Sequence, residues 1–262
     1  MTLLIVVLAL VALLLAALWA FQERLIFFPQ PLVSTTHLPR HAEAIEIVTS
    51  DGLHVRGWVR PGTRVPAPLV LYFGGNAEEV SWTIADARWP PEWSVAAFNY
   101  RGYGRSEGKP GEAALVADAL AVYDALAKRA GVLSKRIVVF GRSIGTGVAV
   151  KLAALRPVAG AVLVSPYDSL VAVGRGHYGW LPIGLLLKHR FEVLEEARRV
   201  RAPLLAVVAD RDSIVPNERS RALYDAWAGP KQWRVIAGSD HNTVAMHDAF
   251  WTEVGAFLRG IE

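Results

Sequence analysis

The chain has 262 residues, enough for one or two domains and ordinary for a single α/β domain. Its 28 Lys and Arg against 24 Asp and Glu leave a net charge of +4 without the dense basic runs of a nucleic-acid groove. No cysteine is present, which excludes disulfides, thiolate nucleophiles and Cys-based metal centres; a hydrophobic content of 53% excludes a disordered chain.

Much of that apolar excess lies at the N-terminus. Residues 2–21 read TLLIVVLALVALLLAALWAF, with no charge in the run. At 1.5 Å per residue this run measures about 30 Å, the thickness of a bilayer core. Trp19 and Phe21 stand where interfacial aromatics are expected, and Glu23 and Arg24 close the run. The stretch lacks a basic n-region and a clean A-x-A site, so it reads as an uncleaved anchor over residues 1–22 rather than a signal peptide. The charges around it do not set its orientation.

Residues 23–40 read as a connector, and residues 41–262 as the folded domain. Residues 44–59 predict two strands around the turn Asp51-Gly52. Buried strands follow at 68–73, 94–100, 136–140, 159–165, 203–209 and 232–238. Helices are predicted at 112–129, 146–155, 218–227 and 247–258. This alternation predicts a mostly parallel sheet with helices on both faces. Residues 166–200 interrupt it; rich in Gly, Pro and aromatics, they read as a small cap inserted between two strands.

Gly141-Arg142-Ser143-Ile144-Gly145 fits G-x-S-x-G between a predicted strand and a predicted helix. A serine on that sharp turn needs small neighbours. Its hydroxyl becomes a nucleophile only when a base takes its proton and an acid orients that base. Asp212, in ADRDSIVP, and His241, in GSDHN, follow the next strands in the order Ser, acid, His. Asp210 and Asp240 compete for the acid role, but Asp212 is the choice. His37, His41, His54, His177, His189 and His247 read as structural or surface residues. The oxyanion donors would be the backbone amides of Ile144, just after the serine, and Asn76, in the loop Gly74-Gly75-Asn76-Ala77. No cluster calls for a metal or a cofactor.

The runs GGNAEEV, NYRGYGRSEGKPGE, GRSIGTG, ADRDSIVP and GSDHN together resemble the α/β-hydrolase superfamily, over about residues 45–258. The nearer resemblance is to its membrane-anchored branch, which pairs an N-terminal hydrophobic helix with a small-cap catalytic domain. The resemblance implies that residues 101–108 form a structural turn beside the site, with Arg101 paired internally. Two positions depart from the pattern. Gly74 stands where the family usually has a histidine that stiffens the oxyanion loop. Asn99 stands where it often has an aspartate, so a charge partner for Arg101 or a neighbour is expected to be lost.

These residues point to a serine hydrolase of the esterase or thioesterase type. Tyr167, Leu170 and Trp180 of the cap, with Tyr178, Leu181 and Leu185 near them and Ile214 beyond Asp212, are the expected substrate surface. With the anchor, they suit a small-molecule or lipid-like acyl substrate. A basic stretch (Lys188, His189, Arg190, Arg198, Arg199, Arg201) is either a solvated face or a contact for anionic headgroups. An acyltransferase, a peptidase and an idle membrane scaffold on the same fold stay open.

Overall fold

The computed structural model describes residues 1–261. In chain order it contains α1 (Thr2–Ile26), β1 (Glu43–Val48), β2 (His54–Arg60), β3 (Ala67–Phe73), α2 (Ser81–Ala85), β4 (Ser94–Phe98), α3 (Glu112–Ala127), β5 (Val132–Arg142) and α4 (Ile144–Leu155). There follow β6 (Gly160–Val164), α5 (Leu170–His177), α6 (Ile183–Leu186), α7 (Leu194–Ala197), β7 (Leu204–Ala209), α8 (Asn217–Ala226), β8 (Lys231–Ile236) and α9 (Asp248–Arg259). Eight strands form one sheet in the order β1-β2-β4-β3-β5-β6-β7-β8. The β1–β2 and β2–β4 pairs are antiparallel, and every other pair is parallel.

The central strands are apolar on both sides because helices cover both faces. Alternate residues of β3 show it. Leu69, Leu71 and Phe73 join one core with Leu115 of α3, Val148 of α4 and Leu223 of α8. Val70 and Tyr72 join the other with Ile84 of α2 and Phe250 and Val254 of α9. Since β3 to β8 all run the same way, their carboxyl ends share one rim, where sites in open α/β sheets gather.

Three boundaries move from the sequence reading. The first helix runs to Ile26, four residues beyond the expected anchor and into the connector. Charged residues at 23 and 24 end the apolar run but not the helix, because Gln22 fastens this end to the domain. Its side-chain amide donates to the Leu186 carbonyl (3.0 Å) and accepts from the Lys188 N–H (2.7 Å). The strand β5 begins at Val132 rather than 136, since Val132 pairs with Ala67 although Ser134 and Lys135 give no apolar signal. The insert between β6 and β7 folds as three short helices, α5 to α7, too brief for periodicity to reveal.

No residue of the apolar window of α1 is buried, which removes it from the domain core. Exposed apolar runs of this size mark a contact with a membrane or with another protein.

The expected loss of a partner for Arg101 does not occur. Its guanidinium is buried between two carboxylates: Nη1 lies 2.6 Å from Asp51 Oδ2, and Nε and Nη2 make a paired contact of 2.8 and 2.7 Å with Asp118. Asn99 serves other groups, accepting from the Val80 N–H and donating to Glu79. Asp118 is itself buried, so its removal strands a charge. Asp118→Ala is expected to lower the unfolding free energy by about 3 kcal/mol, the low end for a broken buried pair because Asp51 remains. Chemical denaturation of the full chain in detergent measures it, and an unchanged midpoint would contradict the role of this pair.

Candidate active site

Ser143 sits between the last residue of β5 and the first of α4, with φ 51° and ψ −120°. A non-glycine residue pays for this left-handed backbone, and the turn holds because its neighbours lack side chains. A Cβ on Gly141 would lie 2.6 Å from the Gly145 carbonyl oxygen. One on Gly145 would run into the Phe73 carbonyl and come within 2.6 Å of that of Gly74. The same contacts press the loop after β3 against the first turn of α4.

Asp212 and His241 arrive on the loops after β7 and β8. The Ser143 hydroxyl lies 3.0 Å from His241 Nε2, and His241 Nδ1 lies 3.0 and 2.9 Å from the two Asp212 oxygens. A carboxylate only accepts, so Nδ1 carries the proton and Nε2 is left to accept from the serine. The Asp212 side chain is 0% exposed and that of His241 7%, while Ser143 is half-buried and reachable. Such an arrangement can pass a proton from the hydroxyl to the imidazole and stabilise the cation that results.

Burial works against the charge on Asp212, yet hydrogen bonds from His241 and Ser165 and from the Val215 amide outweigh it and hold the carboxyl below its usual range. The Ser165 hydroxyl donates at 2.7 Å, and the Val215 and Ile214 amides at 2.8 and 3.0 Å. The rival acids are occupied locally. Asp210 accepts from the Gly238 N–H (2.9 Å), and Asp240 closes a turn with Asn242 and Thr243. Other histidines have partners outside the site: His54 meets Glu46, His37 stacks on Trp82, and His189 packs edge-on against Phe27.

Ile144 opens α4, so its N–H belongs to the first turn, whose amides have no acceptor inside the helix. The loop 74–77 is stiffened without the histidine of the family pattern. Glu78 accepts from the Gly75 N–H (2.7 Å), the Tyr72 hydroxyl (2.7 Å) and Arg142 Nη1 (3.1 Å). The Tyr100 hydroxyl donates to the Gly74 carbonyl at 2.8 Å. The Asn76 side chain ties the loop to the end of α1. It donates to the Ile26 carbonyl and accepts from the Phe28 N–H (3.0 Å) and the Tyr103 hydroxyl (2.9 Å). Sequence reading missed Glu78, Arg142 and Ser165 as supports. Only Arg142, next to the serine, carried a local signal.

The four expected substrate residues part company. Tyr167 is 1% exposed, its hydroxyl on the Ile144 carbonyl (3.2 Å) and 2.5 Å from where a Cβ on Gly147 would lie. It packs beneath the serine's helix and offers substrate no surface. Leu170 is half-buried against the core. Trp180 is 74% exposed and turned to the outside of the insert. Ile214 is 44% exposed beside Asp212, and its carbonyl meets His177 Nε2 at 2.8 Å.

The sequence model of the family described as serine aminopeptidase, S33, matches residues 66–182. An uncharacterized protein of Mycobacterium tuberculosis is 39% identical over 236 residues, covering 88% of this chain and 84% of that one. The α/β hydrolase domain-containing protein WAV2 of Arabidopsis thaliana is 27% identical, covering 80% of this chain and 76% of its own. Among solved structures, a Pyrococcus furiosus esterase superposes with a TM-score of 0.68 at 21% identity, covering 90% of this chain and 97% of that one. The chain belongs to the α/β-hydrolase family.

In this hydrolase the depressed Asp212 sets a pH dependence. A lowered folded value means that its contribution to stability is complete above the unfolded value of about 3.9 and is lost as pH falls through the lower folded value. Asp212→Asn is expected to melt below wild type at neutral pH, with the gap in Tm narrowing as pH drops below about 4. Thermal scans across pH check this; a gap independent of pH would mean that the ionised carboxylate adds nothing.

Proposed function

We propose that this chain is a membrane-anchored serine hydrolase that cleaves a carboxylic ester or thioester through an acyl-enzyme. The observation that carries the reading is the unbroken line of hydrogen bonds from Ser143 through His241 to Asp212. Ser143 attacks the carbonyl carbon while His241 accepts its proton, and Asp212 balances the imidazolium. The amides of Asn76 and Ile144 receive the oxyanion. His241 returns the proton to the leaving group, then activates the water that releases the acid. In this reading residues 41–262 are the catalytic domain and 166–200 its cap.

An uncleaved anchor agrees with how the end of α1 is used. Gln22 holds the insert at Leu186 and Lys188, so removal of residues 1–22 would strip that contact from the cap. A tethered site of this kind suits a lipid-like acyl substrate. An ester or thioester is favoured over an aminopeptidase substrate because an aminopeptidase needs a carboxylate free to bind the terminal ammonium, and Glu78 and Asp168 are engaged. Glu78 serves Tyr72, Gly75 and Arg142; Asp168 serves Arg219 and the Ser169 amide.

A fluorophosphonate probe should label the wild-type chain at Ser143 and leave Ser143→Ala unlabelled. Against a series of p-nitrophenyl esters, kcat should fall on the order of 10⁶-fold in Ser143→Ala and on the order of 10⁴-fold in Asp212→Asn. Rates that rise with acyl length support the lipid-like substrate. Labelling that survives in Ser143→Ala would overturn the assignment.

A further inference from the structure

A groove of about 660 Å³, lined by none of Ser143, Asp212 and His241, lies between the last turns of α1 and the rest of the chain. Ala20, Phe21, Phe27 and Pro29 give it an apolar lining. Arg24, Lys109 and Lys188 border it. Its one carboxylate, Glu23, is already shared between Lys188 Nζ (3.4 Å) and His189 Nε2 (3.7 Å). Arg24 and Lys109 are exposed and form no ion pair among the described residues. The groove therefore holds two uncompensated cations.

Its depth is set by the helix. Resting on the anchor reading above, residues 2–21 fill the hydrocarbon layer, and the next turn lies among the headgroups. Arg24 is in that turn. Trp19, one turn higher, has the Lys188 ammonium 3.9 Å from its ring centre, so the domain reaches up to the interface on this side. The groove thus opens apolar at acyl-chain level and cationic at phosphate level.

We infer that this groove binds an acidic phospholipid of the surrounding bilayer, its phosphate between Arg24 and Lys109 and its first acyl carbons along Ala20 and Phe21. A zwitterionic lipid brings a cationic headgroup to the same cations and is disfavoured. Inorganic phosphate shares the charge but has nothing to place on the apolar wall.

The full chain, reconstituted in nanodiscs of phosphatidylcholine with phosphatidylglycerol and released gently into detergent, is to be examined by native mass spectrometry. Wild type should retain phosphatidylglycerol over phosphatidylcholine, and equimolar inorganic phosphate should not displace it. Each cation near the surface accounts for about fivefold in affinity, so Arg24→Gln with Lys109→Gln should weaken retention about 25-fold. Both side chains are exposed and make no hydrogen bond or ion pair with Ser143, Asp212 or His241, so hydrolysis of a soluble p-nitrophenyl ester should be unchanged. Equal retention of the two lipids, retention by the double variant, or displacement by inorganic phosphate would each overturn the inference. Flotation with phosphatidylcholine vesicles separates the two readings. A chain that floats without lipid preference sinks the groove alone, and a chain that does not float sinks the anchor and the groove together.

Discussion

The left-handed turn at Ser143 is the constraint on which the rest of the site depends. A serine at φ 51° is costly unless its surroundings hold it there, and here they do. The strand before it is buried in the sheet, the helix after it is buried in the core, and two glycines let backbone pass where side chains would collide. The turn leaves the hydroxyl half-buried but reachable, at the rim where the loops after β7 and β8 bring Asp212 and His241. Three residues from distant parts of the chain meet because their strands are parallel and end together.

Around that turn the polar groups are arranged so that almost none moves alone. Arg142 contacts Glu78, and Glu78 holds the Gly75 amide and the Tyr72 hydroxyl. Asn76 extends the same loop to Ile26 and Phe28 at the end of the first helix. The apolar helix is thus joined to the site as well as to the chain. Its last turn belongs to the framework of the loop facing the serine, and Gln22 does the same for the insert. Where the helix sits in a bilayer, the site sits with it.

The basic groove beside this helix follows from the same docking. The helix end and the domain are joined through short polar contacts that leave a cleft between them. In the anchored reading, the cations on its border face the depth at which lipid phosphates lie. Attachment of the helix and recognition of a lipid would then be two results of one interface.

The sequence by itself determined the alternation of strands and helices, the apolar N-terminal helix, the serine turn and the chain order of Ser143, Asp212 and His241. These are local signals: periodicity, small residues at fixed spacing, and position after a strand. It could not determine partners brought together only by folding. Arg101 finds Asp51 fifty residues away in place of the expected neighbour, Glu78 replaces the missing histidine across the elbow, and Ser165 reaches Asp212 from the adjacent strand end. Tyr167, aromatic and in the inserted segment, looked like a substrate contact and is core, because burial depends on what packs above a residue. Side-chain hydrogen bonds between distant segments leave no period in the sequence, so they emerge with the packing of the chain.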